Sequence, residues 1–212
     1  VEVQHIDQLL LLERARALEP DRVAQALGEF HSRFSVVDVP GDVLDKSMRL
    51  YLALRDIKGE YKLDFLAVKC LEELIERYTS CCLAIALLGD EGIVTACQSD
   101  LNAVRSMFVV AELSQDPAIF GDVNVVDKKT GIARMVNCGT MATKLAGEGP
   151  VEWTQQYAYM GAGRGACPLF CCKQGPTTFG TFSRVKGEYG LMIAGGEAYT
   201  EPKEHYMQVR GW

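Results

Sequence analysis

Histidine is scarce in this 212-residue chain, which has only His5, His31 and His205. The first two fall in an N-terminal helical region. His205 stands in Lys203-Glu204-His205-Tyr206 without ligand-type spacing around it, so no histidine is nominated as a metal ligand. Long apolar runs are also missing. The longest extends from Cys81 to Gly89, far short of the ~20 residues a membrane-crossing helix needs, which excludes a helical membrane role. The chain starts at Val1 with no basic, then apolar, leader pattern, and the expectation is a cut or processed end. No stripe of Lys and Arg interleaved with aromatics occurs, and this argues against a nucleic-acid partner. The glycines of Gly161-Ala162-Gly163-Arg164-Gly165 lack the Lys-Ser/Thr and the strand-to-helix setting of a phosphate-binding loop.

What is present describes an ordinary globular chain, with 48% hydrophobic and 24% charged residues, expected in the cytoplasm. The net charge of −6 is unevenly placed: residues 1–118 carry 12 basic and 20 acidic side chains, and 119–212 carry 10 and 8. The change of sign suggests two units. Eight cysteines form no paired C-x-x-C framework, and with no secretion signal they read as buried, reduced thiols. Cys167, Cys171 and Cys172 fall within six residues on a turn bounded by Gly and Pro, and they keep open a minor reading as a thiol-based redox or metal module.

Hydrophobic spacing places helices over 6–18, from Pro20 through Phe30, and over 42–54, with Pro20 accommodated in a first turn. Phe65 to Val68 reads as a buried strand. Helices around 72–78 and 82–88 follow, then a strand over 93–97 and a helix from Asp100 to Leu113 capped by Asp100. This alternation predicts an α/β unit with parallel strands over residues 1–116. From Pro117 onward the pattern changes to short strands and turns. Residues 123–126 and 132–136 flank Asp127-Lys128-Lys129-Thr130-Gly131, and 177–185 and 189–194 flank Lys186-Gly187-Glu188. Most of the glycines and five of the seven prolines lie in this part. The fold class is therefore α/β, a parallel-sheet unit followed by a β-rich, antiparallel barrel-like domain over 117–212 that reads as truncated.

Polar groups mark both ends of the apolar stretch from Gly92 to Asp127. Gln98-Ser99-Asp100 follows a strand and precedes a helix, the place where open α/β sheets bind ligands, although strand-end turns are also simply polar. Asp122 opens the next strand, at the seam of the two units; such clefts hold ligands, and a seam aspartate can equally cap a turn.

Thr95-Ala96-Cys97-Gln98-Ser99-Asp100, the helix segment Ala103 to Met107 and Ile119-Phe120-Gly121-Asp122-Val123 together resemble the L-fucose isomerase family, in the larger group that includes distant L-arabinose isomerases. Val136-Asn137-Cys138-Gly139, Gly175-Pro176-Thr177-Thr178 and Ile193-Ala194-Gly195-Gly196-Glu197 extend the resemblance in the same order over nearly all of the chain. It implies a metal-dependent aldose–ketose isomerase, working through an ene-diol on a small sugar, usually with Mn²⁺ and as a homo-oligomer. The family's metal-binding aspartate falls on Asp122. Its glutamate falls on Gln98, whose amide oxygen can ligate a hard cation but brings no charge and takes up no proton near neutrality. Asp122 and Gln98 are thus the metal and catalytic positions. Tyr159 matches a tyrosine that approaches the sugar, and Arg164 either holds an anionic group on the ligand or caps its loop. The Glu-to-Gln departure supports an alternative: a catalytically impaired or repurposed relative that binds sugars without isomerising them.

Overall fold

The computed structural model describes residues 2–156 and 163–199; Tyr159 and His205 lie outside them. The chain is mixed α/β, and its most apolar helix organises the rest. Helix α1 covers Gln8–Ala17, α2 Pro20–Arg33 and α3 Gly41–Glu60, with the short strand β1 (Val36–Asp38) between the last two. Strand β2 (Leu66–Val68) is followed by the five-residue α4 (Glu73–Arg77), α5 (Cys82–Asp90), strand β3 (Thr95–Cys97) and α6 (Leu101–Ser114). Then come β4 (Asp122–Asp127), β5 (Ile132–Val136), a 3₁₀ turn (Thr143–Leu145), β6 (Glu152–Gln155), β7 (Ala166–Leu169), β8 (Gly175–Val185) and β9 (Glu188–Ala198).

Every residue of α5 from Cys82 to Leu88 is buried. A helix apolar all round has to be covered all round, and here two clusters share the task. Cys81, Ala84, Ile85 and Leu88 pack with Leu11, Leu50, Leu54, Leu66, Val68 and Leu74. Leu83, Ala86 and Leu87 face the other way, into Val23, Phe30, Leu44, Met48, Leu52 and Trp153. Trp153 is completely buried, with Phe30 and Phe34 rings 4.9 and 5.2 Å from its own. α3 runs to Glu60, six residues past the spacing-based end at Leu54, because Ile57 continues the buried stripe into the first cluster.

Strands β2 and β3 pair in parallel, Leu66 opposite Thr95 and Val68 opposite Cys97. A second sheet, in the order β1-β6-β7, joins β1 and β6 in parallel and β6 and β7 antiparallel. The pairing of Val36–Asp38 with Glu152–Thr154 crosses the expected boundary at 116/117. Spacing reveals none of these three strands, since each is only three or four residues long and pairs at long range. β4-β5 and β8-β9 form the two expected antiparallel hairpins. Each is a separate two-stranded sheet, and among the described residues no sheet closes into a barrel. β8 leans on α6, where the Phe182 amide donates to Ser106 Oγ at 2.9 Å. Among the described residues no helix is long and apolar enough to cross a membrane.

Polar contacts at both ends tie the later chain to α5. The Asp90 carboxylate, at its C-terminal end and only 4% exposed, accepts hydrogen bonds from Arg33 Nη2 (2.9 Å), Thr143 Oγ1 (2.6 Å) and the Lys144 amide (3.0 Å). At the other end, the Ser80 amide donates to the Arg164 carbonyl at 3.0 Å. The backbones approach so closely there that a Cβ on Gly165, whose φ is +111°, would stand 2.2 Å from Ser80 Oγ.

Asp90→Ala should cost about 1–3 kcal/mol in urea unfolding, because it removes three hydrogen bonds and leaves the buried Thr143 hydroxyl without its acceptor, while the half-exposed Arg33 returns to water. Asp42→Ala, which removes an exposed partner 3.9 Å from Lys46, should cost less than about 0.5 kcal/mol. Gly165→Ala should destabilise by more than about 2 kcal/mol, through collision as well as positive φ. Gly92→Ala, at φ +79° with nothing within 4 Å of the added carbon, should cost only about 1 kcal/mol.

Candidate functional site

α5 lies between β2 and β3 in the chain, and its first turn sits against the residues that leave both strands. The amide of Cys81, its N-cap, donates to the sulfur of Cys70, two residues beyond β2, at 3.3 Å. The carboxyl ends of the parallel pair, the N-terminus of α5 and the loop carrying Arg164 therefore occupy one end of the unit.

Gln98 and Ser99 form the turn at that end. Both are exposed, and both hold left-handed backbone conformations, with φ of +60° and +55°. Two successive non-glycine residues in that region cost roughly 1–2 kcal/mol each, so the surrounding bonds have to hold them. The Ser99 amide donates to the Val68 carbonyl at 3.1 Å, and the Asp100 amide to the Cys97 carbonyl at 3.3 Å. Asp100 is the N-cap of α6, as its place before the apolar periodicity suggests: its Oδ1 accepts from the amides of Asn102 (2.9 Å) and Ala103 (2.8 Å). Its carboxylate is committed to the helix, and the Gln98 amide is left facing solvent.

Asp122 is exposed at the first position of β4, opposite Val136. Its approach is set by Asn137, which the sequence reading used only as part of the resemblance and gave no role. Asn137 Nδ2 donates to the Phe120 carbonyl and to Thr140 Oγ1 (2.9 Å), while its Oδ1 accepts from the amides of Gly139 (2.9 Å) and Thr140 (2.6 Å). The Asn-Cys-Gly sequence, with an Asx-type turn and Gly139 at φ +101°, is the signal that could have found it.

No hydrogen bond joins the side chains of Gln98 and Asp122. The segments carrying them are linked indirectly: the Cys97 thiol, next to Gln98, contacts that of Cys138, next to Asn137, and Asn137 holds Phe120. The contact with Cys138 is the main cause that draws the Cys97 pKa down. Cys138 is lowered by the Cys82 thiol, but Cys97 and burial outweigh it and push the group up to about 12. Arg164 is exposed on the turn leading into β7, at the same end. Among the described residues no group of three or more His, Cys, Asp or Glu side chains is placed to hold a metal ion. Gln98 and Asp122 do not by themselves make a metal site.

No family model matches the chain. It is similar to curated proteins named sulfoquinovose isomerase. One from Clostridium sp. is 26% identical over 208 residues, covering 96% of this chain and 46% of that protein. One from Alkalicoccus urumqiensis is 28% identical over 153 residues, 71% of this chain and 34% of that protein. One from Priestia megaterium is 27% identical over 139 residues, 65% and 31%. The chain thus spans less than half the length of these relatives. They bear a sugar isomerase's name, as the motifs led one to expect, but a different one from the L-fucose isomerase family those motifs resemble.

Proposed function

We propose that this chain forms part of an aldose–ketose isomerase whose sugar lies over the Gln98-Ser99 turn. The observation that carries the reading is that turn: an exposed, left-handed pair of non-glycine residues at the carboxyl ends of parallel strands. Strain of this kind concentrates at ligand sites, and the position is where open α/β sheets bind ligands. The similarity to named sulfoquinovose isomerases over 96% of the chain supports the same class of reaction.

The roles follow from the side chains. Moving a carbonyl between neighbouring carbons requires a proton to leave one carbon and arrive at the next, so a general base near the sugar is needed, and a carboxylate can serve as one. Asp122 has that chemistry, and its exposed position leaves it available to a ligand. Gln98 can donate to and accept from sugar hydroxyls but cannot carry the proton. Sulfoquinovose bears a sulfonate, and a guanidinium suits such an anion; this favours the ligand-holding role for Arg164 over the loop-capping one. Tyr159, outside the described residues, is the tyrosine that the resemblance assigns to the sugar. A divalent metal, manganese by the resemblance, would polarise the carbonyl when bound. Asp122 and Gln98 offer it one carboxylate and one amide oxygen, and donors beyond them would have to complete the site.

One observation favours a second reading, a sugar-binding relative without turnover: the amide at position 98 in place of a carboxylate. An NMR assay of the full natural chain, supplied with Mn²⁺ and sulfoquinovose or a panel of unsulfonated aldoses, separates the two. Aldose–ketose interconversion is expected, and sugar binding without interconversion would establish the second reading. Asp122→Asn should lower kcat by at least about 100-fold, with the unfolding midpoint unchanged because the side chain is exposed. Gln98→Glu should tighten Mn²⁺ and raise turnover; no effect on either would remove Gln98 from the site. Arg164→Met should raise KM for the sulfonated sugar by about tenfold or more and leave that for unsulfonated aldoses unchanged.

A further inference from the structure

Val68 and Cys97 are the last paired residues of β2 and β3. The residues that follow them, Lys69 and Gln98, are both exposed. Their segments are joined where they leave the sheet: the Ser99 amide, inside the strained turn, donates to the Val68 carbonyl at 3.1 Å, on the peptide that leads into Lys69. On the next peptide the Lys69 carbonyl accepts from Gln8 Nε2, at the start of α1, at 2.8 Å. The backbone is thus held on both sides of Lys69. Its neighbours Val68 and Cys70 are buried, so of the three side chains Lys69 is the one that reaches solvent at the carboxyl end of the pair.

Lys69 meets Glu73, the first residue of α4, with Nζ 3.1 Å from Oε2 and 59% and 47% of the two side chains exposed. Six non-glycine residues have positive φ among the described residues, and three of them, Glu72, Gln98 and Ser99, stand in the two segments that leave β2 and β3. The strain at the Gln98-Ser99 turn is therefore matched across the pair by Glu72, at φ +57° immediately before Glu73. Strain of this kind collects at ligand sites. An exposed ion pair adds little to stability, so the fold gains little from holding these two charges together here.

The chemistry of the pair fits a polyol. An ammonium offers three N–H donors and no acceptor, and a carboxylate offers acceptors alone. With one N–H directed at Glu73, the other donors and the remaining carboxylate lone pairs face water side by side. The Lys69 ammonium is the main cause that holds the Glu73 carboxyl below its ordinary range. Neighbouring hydroxyls of a sugar ring stand roughly a hydrogen-bond length apart, and each can both donate and accept. One can accept from the ammonium while the next donates to the carboxylate, and both bonds are charge-assisted. A lone hydroxyl satisfies only one member of the pair. We propose that Lys69 and Glu73 are a further sugar-holding pair, which takes two neighbouring hydroxyls of the ligand beside the Gln98-Ser99 turn. The inference rests on the reading of that turn as the sugar site and adds to it the hydroxyl pattern that the site selects, a vicinal diol.

The test is an NMR titration of the full natural chain with sulfoquinovose and with synthetic analogues that each lack one ring hydroxyl. In the unmodified protein, loss of either of two neighbouring hydroxyls should weaken binding about tenfold. Lys69→Met and Glu73→Gln should each weaken sulfoquinovose by a similar factor, with the unfolding midpoint unchanged because both side chains are exposed. In each variant one of the two sensitive analogues should bind as well as the parent sugar, a non-additive cycle that a merely structural role would not produce. Lys69→Arg, which keeps the charged donor, should recover most of the affinity. An unaltered hydroxyl dependence in both variants, an equal loss for the parent sugar and every analogue, or sensitive hydroxyls that are not neighbours would each overturn the proposal. Binding needs no turnover, so the two readings separate. A hydroxyl dependence removed by the variants supports the pair even where no aldose–ketose interconversion occurs. Interconversion with that dependence unaltered overturns the pair alone, and an unmodified chain that binds none of these sugars overturns both.

Discussion

The burial of α5 is the constraint on which the other elements depend. A nine-residue helix with no polar face until Asp90 can exist in water only when covered from every side. α3 lies along it, α1 and the β2-β3 pair cover one flank, and α2 with the Trp153 sheet covers the other. The cover of α5 therefore draws on residues from both sides of the expected 116/117 boundary. The second flank is incomplete until β6, more than sixty residues further on, has paired with β1.

The same helix arranges the candidate site. With its N-terminus at the carboxyl ends of β2 and β3, Ser80 holds the Arg164 loop and Cys81 holds Cys70, while the Gln98-Ser99 turn closes over β3. At its other end Asp90 gathers donors from α2 and from the 3₁₀ turn. Polar groups at the two ends of an otherwise apolar helix thus set where the later loops dock, and the loop at its N-terminal end carries Arg164.

Much of this was legible. The N-cap at Asp100, the parallel pair β2-β3 and both hairpins depend on neighbours close in sequence or on short, strongly patterned runs, so periodicity and turn chemistry were enough. β1, β6 and β7 were not legible: they have three or four residues each, and β7 contains Pro168, which weakens a strand pattern. Their identity comes from partners far along the chain. For the site, Gln98 and Asp122 stood out as polar ends of an apolar stretch, and the resemblance to a family supplied their roles and that of Arg164. The Asn137 hydrogen bonds and the left-handed conformations at 98 and 99 required coordinates.

The order of the helices, the apolar character of α5 and the amide at position 98 belong to the sequence itself, because each is set by side-chain chemistry within a few residues. Which cysteines meet, which strands pair across the whole chain and which loops share the strand ends were decided only by tertiary structure. Covering a helix on all sides brings together residues that no local pattern connects. The thiols show the difference most clearly: Cys167, Cys171 and Cys172 are near one another in sequence, whereas Cys70, Cys81, Cys82, Cys97 and Cys138 become neighbours only because two strands and a returning helix end at the same place.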